Sequence, residues 1–177
     1  LKMGLEYRLD NLNERIFSVL YDDNTYRIPT IGPENASPSH SYYSENAIFF
    51  SSYIQDKLEY ESFIMNVGIR YDLFDPQSSH VDSLLNPENS PMKSSKKAMW
   101  SPRIGVAYPI TDEGILHFSY GHFYQMPTMR NLFLKNIFGA GLSPTIGYSD
   151  LKPQKTVMYE FGMQQQLSRF LACLLYT

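Results

Sequence analysis

Four histidines, one cysteine and a scatter of acids and bases are the side chains in this sequence that could do chemistry. Their spacing limits them. His117 and His122 fall on opposite faces of any extended strand, so one strand cannot present both to a single metal ion. His40 and His80 lie in separate polar stretches, where surface histidines are expected. Glu59 and Glu61 sit beside a turn, and solvation explains them more simply than paired acid–base work. Cys173 has no partner for a disulfide or a metal cluster. Neither a phosphate-cradling glycine loop nor a nucleophile elbow occurs. No catalytic, metal-binding or cofactor-binding residue is therefore assigned, and no enzyme is expected. The net charge of −3 comes with unclustered Lys and Arg, which excludes a nucleic-acid footprint.

What remains is a set of charges that share a face. Arg8, Lys57, Arg70, Arg103 and Glu160 each belong to a segment in which polar and apolar residues alternate, the mark of a strand with two different sides. In the first segment Leu1, Met3, Leu5, Tyr7 and Leu9 alternate with Lys2, Gly4, Glu6, Arg8 and Asp10. The pattern returns with Ile48, Phe50, Ile54, Leu58 and Tyr60, then with Phe63, Met65, Val67, Ile69, Tyr71 and Leu73. It returns again with Pro102, Ile104, Val106, Tyr108 and Ile110, and with Leu116, Phe118, Tyr120 and Tyr124. The last set is Val157, Tyr159, Phe161, Met163 and Leu167. Six strands are expected.

Short and long connections alternate between them. Glu61-Ser62 fits a two-residue hairpin that pairs Tyr60 with Phe63 on the apolar face. Asp112-Glu113-Gly114 fits a three-residue turn that pairs Thr111 with Ile115 and uses Gly114 at positive φ. The long stretches run from Leu12 to Glu45, Asp75 to Ala98 and Met126 to Pro153. The third should be folded, because it carries Leu132, Phe133, Phe138 and Leu142. Tyr42, Tyr43, Arg130 and Asn131 are its and the first stretch's weak candidates for ligand contact, and none is assigned a binding role.

No run of eighteen apolar residues exists, which excludes a transmembrane helix but not transmembrane strands of about ten residues. Aromatic residues make up 15% of the chain, with 14 Tyr and 11 Phe, which suits girdles at two membrane interfaces. Tyr60, Phe63, Tyr108 and Tyr159 fall where such girdles belong. Alternation alone also fits a soluble sandwich with a second sheet on the apolar face. The ordered short and long connections favour a barrel with short periplasmic turns and long outer loops. Three residues strain the lipid-facing side. Asp56 lies near the periplasmic end, His122 near the outer end, and Pro102 is tolerable at a strand start.

Several runs then become familiar. Tyr53-Ile54-Gln55-Asp56-Lys57 with Asn66-Val67-Gly68-Ile69-Arg70-Tyr71-Asp72 resembles a barrel hairpin of TonB-dependent receptors. Ser101-Pro102-Arg103-Ile104-Gly105-Val106-Ala107-Tyr108 is similar to their next strand. Ser119-Tyr120-Gly121-His122-Phe123-Tyr124-Gln125-Met126-Pro127 resembles the one after. Leu151-Lys152-Pro153-Gln154-Lys155-Thr156, leading to Tyr159-Glu160-Phe161-Gly162, resembles a further strand start, with Gln154 where Glu is usual. The style is similar to receptors that carry an N-terminal carboxypeptidase-regulatory-like domain.

The resemblance implies an all-β, antiparallel, up-and-down transmembrane barrel of about 22 strands, of which residues 1–170 would form part of the wall. It implies location in the cell outer membrane of a Gram-negative bacterium, with lipid outside, the protein's own plug inside and a TonB-type energy-coupling partner. The implied function is energy-coupled import of a scarce, bulky ligand such as a siderophore, cobalamin, peptide or glycan fragment. The alternatives are a passive porin-like barrel and a soluble carbohydrate-binding β-sandwich. The lumen charges are expected to pair across strands or with the plug. Leu1 opens directly into a patterned strand, as an internal start would. Residues 171–177 resemble a translated adapter and are expected to be a non-native tail.

Overall fold

The alternating segments form one antiparallel sheet in the computed structural model, which describes residues 1–17, 20–22, 25–27, 40–60, 63–81, 91–136, 145–168 and 170–177. The elements in chain order are β1 (Lys2–Phe17), β2 (Leu20–Asp22), β3 (Thr25–Arg27), β4 (His40–Tyr60), β5 (Phe63–Asp75), β6 (Ser79–Val81) and β7 (Pro91–Lys93). There follow β8 (Lys97–Thr111), β9 (Gly114–Gln125), α1 (Met129–Phe133), β10 (Lys135–Asn136), β11 (Thr145–Ile146), β12 (Gln154–Ser168) and β13 (Leu171–Tyr176). The main sheet has seven strands in the order β1-β4-β5-β8-β9-β12-β13. The remaining short strands form three two-stranded hairpins, β2-β3, β6-β7 and β10-β11, each inside a long connection. The sheet meanders up and down, as expected for a barrel wall.

Register keeps the apolar sets together. Leu9 lies opposite Ile48, Tyr7 opposite Phe50 and Met3 opposite Ile54. Ile54 continues to Ile69, Leu58 to Met65, and Tyr60 to Phe63 across the tight turn, as expected. Val67 faces Ile104 and Tyr71 faces Trp100, then Val106 faces Phe118 and Phe118 faces Phe161. A one-residue slip anywhere would have sent a whole set to the other side. None occurs.

Four details differ from the sequence reading. At the β8–β9 turn, Thr111 pairs with Gly114, not Ile115, and a bulge follows because Pro109 pairs with Ile115. Gly114 is not in the positive-φ region; its role is close approach, since a Cβ there would lie 2.8 Å from Thr111 Oγ1. Pro109 and Ile110 are displaced locally, yet Tyr108 still faces Leu116, so the sides are unchanged. Secondly, β1 and β4 run on through part of the expected first loop, pairing as far as Phe17 with His40. At roughly 3.4 Å per residue, β4 is far longer than one membrane crossing requires. The alternation lapses in its first part, where Tyr43 and Ala47 pack against α1 instead. Thirdly, Pro102 lies inside β8 opposite Ile69, not at the strand start. The β8–β9 ladder begins at Arg103, one residue on, so a residue without a donor is tolerated where one side of β8 is unpaired. Lastly, Leu171–Tyr176 forms a seventh strand on β12, with Met163 opposite Leu175 and Gly162 opposite Tyr176.

The core is small and sits on one side only. Tyr43, Ala47, Phe74 and Met99 from the sheet enclose Leu132, Phe133 and Leu134 of the third long connection. All four sheet residues share parity with the polar set, so this core lies on the inner face near the outer end. The other face is bare. Leu5 is 80% exposed and Phe118 43%. Among the described residues no second layer covers it, which removes the condition a β-sandwich requires.

Candidate functional site

The inner face carries the charges singled out in the sequence, and the sheet places them at successive levels. Arg70 anchors the best-defined group. Its Nε donates to both Asp72 oxygens at 2.8 and 2.9 Å, and its Nη2 donates to Ser51 Oγ at 2.9 Å. Ser51 Oγ in turn donates to Asp72 Oδ1 at 2.6 Å. Ser51 and Asp72 are cross-strand partners, so this cluster ties β4 to β5. The remaining pairs run mostly along a strand instead of across it. Arg8 Nε donates to Asp10 Oδ2 at 3.1 Å, with Glu6 at 3.8 Å from Nη1. Lys57 pairs with Glu59 two residues on. Residues two apart share a face, so parity alone makes such pairs possible. Glu160 is the cross-strand case, accepting from Ser119 at 3.1 Å. Arg103 has no carboxylate partner among the described residues; its guanidinium lies 4.7 Å from the centre of the Phe123 ring.

Above this level a shelf of loop folds onto the wall. The short α1 begins after Thr128 and Pro127 and buries Leu132 and Phe133 against the sheet core. The returning chain is pinned by Tyr148 N–H donating to Asn131 O at 2.9 Å. Gly147 is required by contact here, because a Cβ would approach the Leu132 carbonyl carbon and the Phe133 nitrogen to 2.8 Å. The next residues reach the second long connection. Ser149 and Ser94 hydroxyls share a hydrogen bond at 2.5 Å, and Ser94 meets His80 Nδ1 at 3.2 Å. The His80 ring packs edge-on to Tyr148 with centroids 4.6 Å apart. Asp150 Oδ1 accepts from Ser95 N–H at 2.8 Å, from Ser95 Oγ at 2.6 Å and from Lys97 Nζ at 2.5 Å. Lys97 and Ser95 hold the Asp150 carboxyl well below the usual carboxylate range. Lys97 is buried, so the pair supplies the charge partner that an ammonium there requires.

This clasp places several candidates differently from the sequence reading. His80 is buried, 8% exposed, and not a surface histidine. The signal that could have revealed it is spread along the chain, with Ser94 14 residues from His80 and Ser149 a further 55 on. Tyr43 lies in β4 and not in a loop; it is buried in the core and its hydroxyl donates to Glu14. Tyr42 also lies in β4, with the Arg15 guanidinium 5.4 Å from its ring centre. Arg130 stands 3.9 Å from Glu14, and Asn131 is exposed. His117 and His122 do fall on opposite faces. His122 Nε2 shares a hydrogen bond with Tyr120 Oη at 2.6 Å on the apolar side. Asp56 accepts from the Lys57 N–H at 3.0 Å. The side chain of His40, residues Glu61, Phe138 and Leu142, and the run 31–35 lie outside what is described. Among the described residues no group of three or more His, Cys, Asp or Glu could hold a metal ion.

The arrangement suits a wall that shields a polar path from lipid. Its apolar side carries aromatic pairs at a short turn, at mid-strand and nearer the long connections. Tyr60 and Phe63 lie 6.0 Å apart at a short turn, while Tyr71 packs on Trp100 at 4.6 Å and Tyr120 on Tyr159 at 5.1 Å. No helix among the described residues is long and apolar enough to cross a membrane.

Residues 2–172 match the family described as "TonB dependent receptor-like, beta-barrel". Among solved structures, the chain is similar to the siderophore receptor PirA from Acinetobacter baumannii, at 15% identity and a TM-score of 0.44. The similarity covers 98% of this chain and 31% of that one, so this chain spans less than a third of that receptor's length. No curated protein matches.

Proposed function

Because this chain belongs to the TonB dependent receptor-like β-barrel family, we propose that it is a section of the wall of an outer-membrane importer. The imported ligand is scarce and bulky, too large for passive diffusion through a narrow pore. Siderophores, cobalamin, peptides and glycan fragments all fit that class. Movement is driven by energy from the inner membrane, delivered through a TonB-type partner to a plug that fills the lumen.

The carrying observation is the contrast between the two faces of one sheet. The apolar face continues from strand to strand, broken by few polar residues (Ser52, Asp56 and His122 among them), and has no protein over it among the described residues. Hydrocarbon is the solvent that such a face suits, because between neighbouring strands the ladder already satisfies the backbone groups that lipid could not. The polar face supports an aqueous path, with charges held in pairs. The wall itself does no chemistry. It excludes lipid, and its paired charges give a moving plug a hydrophilic surface to slide against.

The test is expression of the complete gene in a Gram-negative host. The proposal requires a plug-coding segment of somewhat over a hundred residues (typical of a small domain) upstream of the wall. It also requires uptake that collapses when the inner-membrane proton gradient is dissipated. Equal uptake with and without the gradient would convert the reading to a passive barrel.

A further inference from the structure

Arg103 stands apart from the other inner-face arginines. Arg8 and Arg70 each have an aspartate, whereas Arg103 has no acid within ion-pair distance among the described residues. Its cross-strand neighbours are both glycine, Gly68 on β5 and Gly121 on β9. Two missing side chains leave its guanidinium standing in an open groove of about 550 Å³ on the inner face. Lys2, Arg70 and Arg103 line that groove, and neither aspartate nor glutamate does. The side chain is also held in place. Phe123 lies over Gly121 and under the guanidinium, and a Cβ on Gly121 would come within 2.9 Å of Phe123 Cε2. Asn66 and Ser119 add uncharged hydrogen-bonding groups to the rim.

We propose that Arg103, positioned by Phe123 and Gly121, is a docking point for a carboxylate side chain of the plug. This rests on the importer reading above and names the contact by which the wall would grip what fills it. A guanidinium fork matches a carboxylate in two parallel hydrogen bonds, and stacking on an aromatic ring pre-orients the fork. Charge complementarity still favours an acid: Glu6 and Asp72 line the adjoining cavity beside Arg70 and Arg103, but Asp72 is taken up by Arg70, and among the described residues neither acid forms an ion pair with Arg103. The location favours a resident partner over a passing ligand. Arg103 lies midway along its strand, below the shelf formed by α1 and its returning chain, where the lumen's own occupant would be in constant contact.

Amide hydrogen exchange of the full-length receptor, purified in detergent without ligand, tests the site. Arg103→Gln is expected to raise exchange about tenfold in one acid-bearing plug segment, with the barrel strands unchanged. Arg103→Lys should recover part of the protection, since it keeps charge but loses the fork. Phe123→Leu should loosen the same segment, whereas Phe123→Tyr, which keeps the stack, should not. Unchanged plug exchange in an assembled Arg103→Gln barrel would overturn the proposal. Should that variant fail to assemble, Phe123→Leu decides in the same way: faster exchange in that segment supports the site and unchanged exchange overturns it. A gene that encodes no plug would sink the importer reading itself, whereas a plug indifferent to Arg103 would sink only this contact.

Discussion

Phe118 and Phe133 are both large aromatics attached to the same wall, yet one is open and the other sealed. Phe118 projects from β9 on the apolar side and remains 43% exposed within the protein; Phe133, in α1, is 2% exposed against the inner face. The difference shows where the protein supplies its own core and where it leaves that task to another solvent. On the inner side, packing is built from Tyr43, Ala47, Phe74 and Met99 and confined to the outer end. On the outer side the protein only has to present a continuous apolar surface, with no shape to match.

That contrast can be broken most forcefully at the shelf. Phe133→Ala is expected to cost about 3–5 kcal/mol of local stability, because a buried aromatic leaves a cavity that rigid neighbours cannot fill. Cleavage rates within residues 126–153 under limited proteolysis would measure it. Phe118→Ala should cost much less in a bilayer, since lipid chains close over the gap. Equal losses would mean that Phe118 also packs in a protein core.

Charge substitution gives the next effect. Ile69→Arg, in the middle of β5 on the apolar side, is expected to destabilise the barrel by about 2–4 kcal/mol in vesicles. Asn66→Arg, three residues away on the inner side, should fold nearly as well as the parent. Denaturant titration of refolding into lipid vesicles distinguishes them.

The clasp yields smaller effects. Asp150→Asn leaves the buried Lys97 ammonium without its carboxylate and is expected to cost about 1–3 kcal/mol of shelf stability. The same pair sets a pH dependence. The folded Asp150 is depressed below its unfolded value of about 4, so its stabilisation is fully present above that value. It is lost as pH falls through the lowered folded value. Protease resistance of the shelf should therefore hold from neutral pH to about pH 5 and fall only in stronger acid. In Asp150→Asn that acid step should disappear.

The two sides also differ in how legible they were. Every apolar set on the outer side is legible from parity, since a strand with one lipid-facing side has a period of two, and single polar members such as Ser52 do not hide it. The Tyr60–Phe63 turn followed from the same parity. The β8–β9 turn did not, because the bulge at Ile110 is a local backbone choice that shifts pairing without changing sides. The far ends of β1 and β4 look like loop in the sequence because no apolar alternation marks them, although they pair as far as Phe17 with His40. On the inner side, Leu132 and Phe133 hinted at a folded connection. The His80, Ser94, Ser149 and Asp150 clasp was invisible, since those residues are brought together by loops and by no periodicity. Lumen charges are visible as a set, but their pairing along strands depends on side-chain rotamers that the period of two does not fix.

The central claim is that lipid covers the apolar side. Nitroxide labels at single cysteines test it directly in the full-length receptor reconstituted in vesicles, with Cys173 replaced by Ser. Labels at Val67, Ile69 and Phe118 should collide with dissolved oxygen and be shielded from a water-soluble nickel chelate, while a label at Asn66 should show the reverse preference. Chelate reaching Val67, Ile69 and Phe118 as readily as Asn66 would contradict the claim.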